Sequence, residues 1–136
     1  MTRVLVVEDE RDIARVLASA LREQGHQVAT AADGVAALDE ARRKPPGLLL
    51  MDLQFPEMDA VTFVHHYRQL PGCADSPIIA MSATYRGLPR SLEAQAFIEK
   101  PFDLDILLAT VRELALSFPR GDAASGITLG KRLTRC

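Results

Sequence analysis

The stretch GLLLMD, residues 47–52, sets four large apolar side chains in a row and closes on a carboxylate. A run this short and uniformly apolar reads as a strand buried on both faces, the habit of parallel sheets flanked by helices. Three other runs share that build: RVLVV (3–7) ahead of Glu8-Asp9, PIIAM (77–81) ahead of Ser82, and AFIE (96–99) ahead of Lys100. HQVATA (26–31) is more polar and suits an edge, whereas residues 47–51 are the most apolar and suit the centre of a sheet.

Helical patterns fill the intervals. Over residues 11–24, Ile13, Val16, Leu17, Ala20 and Leu21 recur at helical spacing, and Gly25 supplies the stop. Asp33 can cap a helix reaching about Arg43, with Val35, Ala36 and Leu38 as its apolar positions and Arg42, Arg43 and Lys44 near its negative end. Pro45-Pro46-Gly47 forbids continuation. A third helix carries Ala60, Phe63, Val64 and Tyr67 and breaks at Pro71-Gly72. The last carries Leu104, Leu107, Leu108, Val111, Leu114 and Ala115 behind a capping Asp103. Gly87 and Pro89 interrupt residues 83–95, which predicts a short or irregular fourth helix there. Strands alternating with helices, without hairpin signals, define an α/β fold with a doubly wound, five-stranded parallel sheet.

Composition agrees with one globular domain: 136 residues, 48% apolar and 25% charged. No apolar stretch is long enough to span a membrane, and Met1-Thr2-Arg3 runs directly into the first strand, so no signal peptide is expected. Cys73 and Cys136 form neither a disulfide framework nor a metal spacing; reduced thiols and a cytoplasmic location are expected. Residues 1–118 hold 12 Lys/Arg against 17 Asp/Glu, while 119–136 hold four basic residues against one acidic. The division predicted is a domain over 1–118 and a flexible basic tail, or the start of a linker, over 119–136. The acidic body argues against nucleic acid, and Lys131, Arg132 and Arg135 are too few to reverse that.

In an open parallel sheet the carboxyl ends of the strands share one edge, where ligands bind. Glu8, Asp9, Asp52, Ser82 and Lys100 would therefore meet in one crevice. Taken singly, the acids could be helix caps, Ser82 a turn residue and Lys100 a surface charge. Together they form a phosphoryl-transfer constellation. Three neighbouring carboxylates need a cation, and oxygen ligands with phosphate chemistry point to Mg²⁺; no His or Cys is placed for zinc.

With VLVVEDE, LLLMDLQFPEMD, PIIAMSA and FIEKPF in these positions, the chain resembles a response-regulator receiver domain of two-component signalling over about residues 3–118. Pro56 also fits the family loop. The resemblance implies a flavodoxin-like strand order 2-1-3-4-5. It implies Asp52 as phosphoacceptor from a sensor histidine kinase or histidine phosphotransferase. Mg²⁺ would lie on Asp9, Asp52 and the Gln54 main-chain carbonyl, with Glu8 acting through water. Lys100 would contact the acyl phosphate and Ser82 would move toward it, making Asp52, Ser82 and Lys100 the reacting set. Phe97 occupies the aromatic switch position, with a plain core phenylalanine as the alternative, and Gln54 and Thr84 flank the path of the hydrolytic water. The output is a switched surface for a downstream protein effector, with a homodimer left open; the chain is a signalling module, not a conventional enzyme.

The sequence also departs from the family pattern. Ala60 replaces a usual glycine, and the Ser82-to-Lys100 interval is a few residues short, the loss falling on the fourth helix. His65-His66 read as surface histidines in preference to a relay. The irregular 83–95 segment motivates an alternative, a docking module of receiver fold that signals without phosphate turnover. A phosphatase is disfavoured because Glu8-Asp9 is not its Asp-x-Asp nucleophile pair, and a flavin protein because no phosphate-cradling loop follows the first strand.

Overall fold

Every residue of Leu48–Asp52 and of Ile78–Ser82 is buried. Strands covered on both faces require helices above and below them. The computed structural model describes residues 2–54, 57–83 and 92–117. In chain order these form β1 (Arg3–Val7), α1 (Arg11–Glu23), β2 (Gln27–Ala31), α2 (Gly34–Arg43), β3 (Leu48–Asp52), α3 (Ala60–Arg68), β4 (Ile78–Ser82), β5 (Ala96–Glu99) and α4 (Leu104–Ser117). The strands pair in parallel in the order β2-β1-β3-β4-β5, with β3 central and the more polar β2 at an edge.

Strand alternation sorts the core into two halves. Leu5, Val7, Leu49, Met51, Ile78 and Ala80 face α2 and α3, joining Ala37, Ala41, Phe63 and Tyr67. Val4, Val6, Leu48, Leu50, Ile79 and Met81 face α1 and α4, joining Leu17, Leu21, Leu107 and Val111. The helix ends follow local chemistry. Asp33 Oδ1 accepts from Ala36 N at 2.8 Å, Asp59 Oδ1 from Thr62 N at 2.8 Å, and Asp103 Oδ1 from Asp105 N at 2.9 Å. Each contact satisfies an amide that the first helical turn leaves unpaired. Gly25 closes α1 at φ +95°, a conformation that costs glycine little.

Two helical faces differ from the sequence reading. Val16 is 52% exposed and Val35 55% exposed, while Ala18 is buried on α1 and Gly34, Ala37 and Ala41 are buried on α2. Small residues let both helices approach the sheet closely, and that rotates the neighbouring valines outward. Among the described residues there are four helices. Residues 84–91, where the fourth helix was expected to be short or irregular, lie outside them, as do Pro56, Thr84 and the 119–136 tail. Just beyond that segment, Gln95 latches onto the start of β4. Its N–H donates to Ile78 O at 2.8 Å, and its side-chain Oε1 accepts from Ile78 N at 2.8 Å.

His26, at the turn between α1 and β2, has a buried Nδ1 without a hydrogen-bond partner among the described residues. Desolvation holds its pKa below the ordinary histidine value. The folded chain then binds fewer protons than the unfolded chain below about pH 6.5, so stability falls as pH drops through that range. Urea titrations between about pH 7.5 and 5 should show a loss of stability from this group as pH falls, absent in His26→Leu. An unchanged slope in the variant would contradict the assignment.

Candidate functional site

Parallel register brings the strand ends level. Val7 pairs with Met51, Asp52 with Met81 and Ser82 with Glu99. Glu8 therefore leaves β1 beside Asp52 at the end of β3, and Lys100 leaves β5 beside Ser82 at the end of β4. The Lys100 ammonium sits between two acids, Nζ to Asp52 Oδ2 at 2.9 Å and to Glu8 Oε1 at 3.1 Å. The other oxygen of each acid is held by an amide two residues downstream. Glu8 Oε2 accepts from Glu10 N at 3.1 Å, and Asp52 Oδ1 accepts from Gln54 N at 3.1 Å. The second contact is an Asx turn, in which an aspartate fixes the loop that follows it.

The Glu8 side chain is 0% exposed, that of Asp52 8% and that of Lys100 19%. Asp9 is exposed at the rim. Burial pushes the Glu8 carboxyl above its usual pKa, although the Glu10 amide and Lys100 oppose the shift. Burial alone would lower Lys100, but its hydrogen bonds and ion pairs to Asp52 and Glu8 outweigh that and raise it. One ammonium against three carboxylates leaves the pocket net negative.

Glu8, Asp9 and Asp52 each place a carboxylate oxygen within 4.8 Å of the others. An octahedral Mg²⁺ holds neighbouring oxygens about 3 Å apart, so the three would have to draw together or ligate through retained water. The donor set is all oxygen, which suits a hard cation and not a soft one.

The structure thus brings Glu8, Asp9, Asp52 and Lys100 together, with buried Ser82 on the adjoining strand. Gln54 is exposed and contributes its amide to Asp52. Phe97 lies opposite Ala80 and packs, partly buried, against the core half beneath α2 and α3. Thr84 lies outside the described residues. Sequence reading did not find the amides of Glu10 and Gln54, although an acid followed two residues later by a loop amide is a recognisable pattern. It also did not find Glu57, whose φ of +68° strains the loop after β3, at a cost of about 1 kcal/mol or more. The Lys100–Pro101 peptide bond is cis.

Residues 4–112 match the family described as the response regulator receiver domain. The chain belongs to that family. Response regulator ArlR of Staphylococcus aureus is 35% identical over 136 aligned residues, covering 96% of this chain. The chain spans 61% of the length of that relative. Among solved structures, the chemotaxis response regulator CheY4 of Vibrio cholerae superposes with a TM-score of 0.78 at 27% identity, over 84% of this chain and 98% of its own. The receiver domain of sensor histidine kinase PA1611 from Pseudomonas aeruginosa, which has a magnesium ion coordinated in its active-site cleft, gives 0.74 at 28% identity, over 85% and 95%.

The raised Glu8 pKa has a consequence for stability. Its ionised form is less favourable in the fold than in the unfolded chain, so this group's contribution declines as pH rises from about 4.5. Glu8→Gln should therefore melt higher than wild type at pH 7, and the gap should close toward about pH 4.5. Thermal unfolding at the two pH values checks this, and a variant less stable at pH 7 would show that the Lys100 contact dominates.

Proposed function

We propose that Asp52 accepts a phosphoryl group from a phosphohistidine on a sensor histidine kinase or histidine phosphotransferase. The observation that carries this reading is the position of Asp52, at a strand end between an ammonium and an acidic cation pocket. One Asp52 oxygen attacks phosphorus as the P–N bond to the imidazole breaks, and the electron pair leaves with the donor's ring. Mg²⁺, when bound by Asp9, Asp52 and the Gln54 carbonyl with Glu8 acting through water, supplies neutralisation of charge on the transferring group. Lys100 moves onto a phosphoryl oxygen, and Ser82 donates to another. Such fixed, desolvated donors are worth roughly 10²–10³ in rate each.

Gln54 and Thr84 flank the approach of hydrolytic water and tune the lifetime of the acyl phosphate. Phe97 follows Ser82 inward and carries the change to a surface read by a protein effector. The reading assigns 1–118 to the receiver unit and 119–136 to a basic tail or linker, and places the chain in the cytoplasm. Among the described residues no helix is long and apolar enough to cross a membrane.

Incubation with Mg²⁺ and a small phosphodonor such as acetyl phosphate, followed by intact mass, tests the reading. Wild type should gain one phosphoryl group, whereas Asp52→Ala, or wild type with chelator, should gain none. Lys100→Met should slow the gain by roughly 10²-fold. An adduct that persists in Asp52→Ala would remove Asp52 from the role. No adduct on wild type, with partner binding retained by Asp52→Asn, would favour a docking module without phosphate turnover.

A further inference from the structure

A groove of about 560 Å³ runs between α1 and the edge strand β2, lined by Arg11, Ala14, Arg15, Ala18, Arg22 and Thr30, with Ser19 and Glu23 completing it. The arginines fall at i, i+4 and i+11 on α1, within one narrow stripe of a 3.6-residue helix, and Ala14 and Ala18 form the floor between them. Three guanidinium groups on one stripe stand out from a body of 12 basic and 17 acidic residues over 1–118. Asp12 offers Arg15 only a 4.0 Å surface contact.

Main-chain polarity supplies the second observation. Gln27 N donates to Thr2 O, and Ala31 O accepts from Glu8 N. The odd residues of β2 therefore turn their amides and carbonyls toward β1, and Val28 and Thr30 turn theirs outward. Arg22 Nη2 covers Val28 O at 3.0 Å. The Thr30 N–H and C=O have no partner among the described residues. The open edge and the arginine stripe lie along the same groove, and the Thr30 side chain faces it.

We propose that the β2 edge and the arginine groove dock an extended acidic segment of a partner protein, added as a sixth strand. Main-chain hydrogen bonds to Thr30 would set its register. Alternate side chains of an added strand face the α1 side of the sheet, so carboxylates at every second position would reach Arg11 and Arg15. The proposal does not depend on phosphorylation of Asp52.

The test uses the full chain and a short fluorescein-labelled peptide alternating Glu with Val and Thr. Two controls are the same peptide with Lys for Glu, and a helix-forming Ala/Glu peptide of equal charge. The alternating acidic peptide should bind by fluorescence anisotropy and slow hydrogen exchange at the Thr30 amide, but not at Ala29. Arg11→Glu/Arg15→Glu should weaken binding by about tenfold or more. Both side chains are exposed, so the variant should melt as wild type does, and the neutral Arg11→Gln/Arg15→Gln pair should fall between. Absence of binding, equal binding of the lysine peptide, or binding indifferent to the charge reversal would overturn the proposal. So would preferred binding of the helical peptide without protection of Thr30.

Discussion

Five short strands can all run parallel only if each crossover carries the chain back over a face of the sheet, and that places every carboxyl end on one edge. The functional geometry follows from this constraint. Glu8, Asp52, Ser82 and Lys100 are up to 92 residues apart in the chain, yet each needs only to stand at a strand terminus to arrive at the same crevice. No long-range device has to be added. The two-sided burial of β3 and β4 fixes the register, because a one-residue slip would exchange Leu50 and Met51 between the two halves of the core.

The crevice then has to tolerate its own charge. Gross attraction between unit charges about 3 Å apart is about 5 kcal/mol at an effective dielectric of 20, against a desolvation penalty of several kcal/mol per ion. Lys100 makes two such contacts and so remains charged, whereas Glu8, wholly buried and sharing that one ammonium, sits above its ordinary pKa. Asp9 avoids the problem by staying in water at the rim. The pocket therefore combines one cation held by two contacts, two buried acids bonded to main-chain amides and one acid exposed to solvent. Such an arrangement can admit a divalent ion from the solvent side without first rebuilding its interior.

Much of this was legible in the chain. Apolar runs ending in polar residues gave the strands and their shared edge, and Asp33 and Asp103 gave their helix starts, because both patterns are local. The family resemblance gave the strand order that the paired strands show. Legibility failed where the outcome depended on side-chain volume or reach. Val16 and Val35 fit a helical period as well as their neighbours do, but Ala18 and Ala37 take the inner positions because a closer helix buries more. The double contact of Lys100 depends on a four-carbon stem reaching two strands at once, and sequence spacing does not encode that. The amides of Glu10 and Gln54 escaped a reading directed at side chains, although the acid-to-amide spacing of two residues is itself local.

Lys100 also couples the two buried acids to the chemistry proposed for Asp52. An acyl phosphate moves negative charge from the carboxylate onto phosphoryl oxygens farther from the sheet. The ammonium can follow that charge only by leaving Glu8, which would keep the Glu10 amide as its hydrogen-bond donor. A buried carboxylate deprived of its cation is costly, so Glu8 must take up a proton, gain a metal-bound water or draw the β1 end of the loop with it. The last of these pulls on Glu10, which precedes α1 and whose carbonyl accepts from Ala14 N at 3.0 Å. The charge balance of the pocket is thereby linked to the first turn of the helix whose outer stripe carries Arg11 and Arg15.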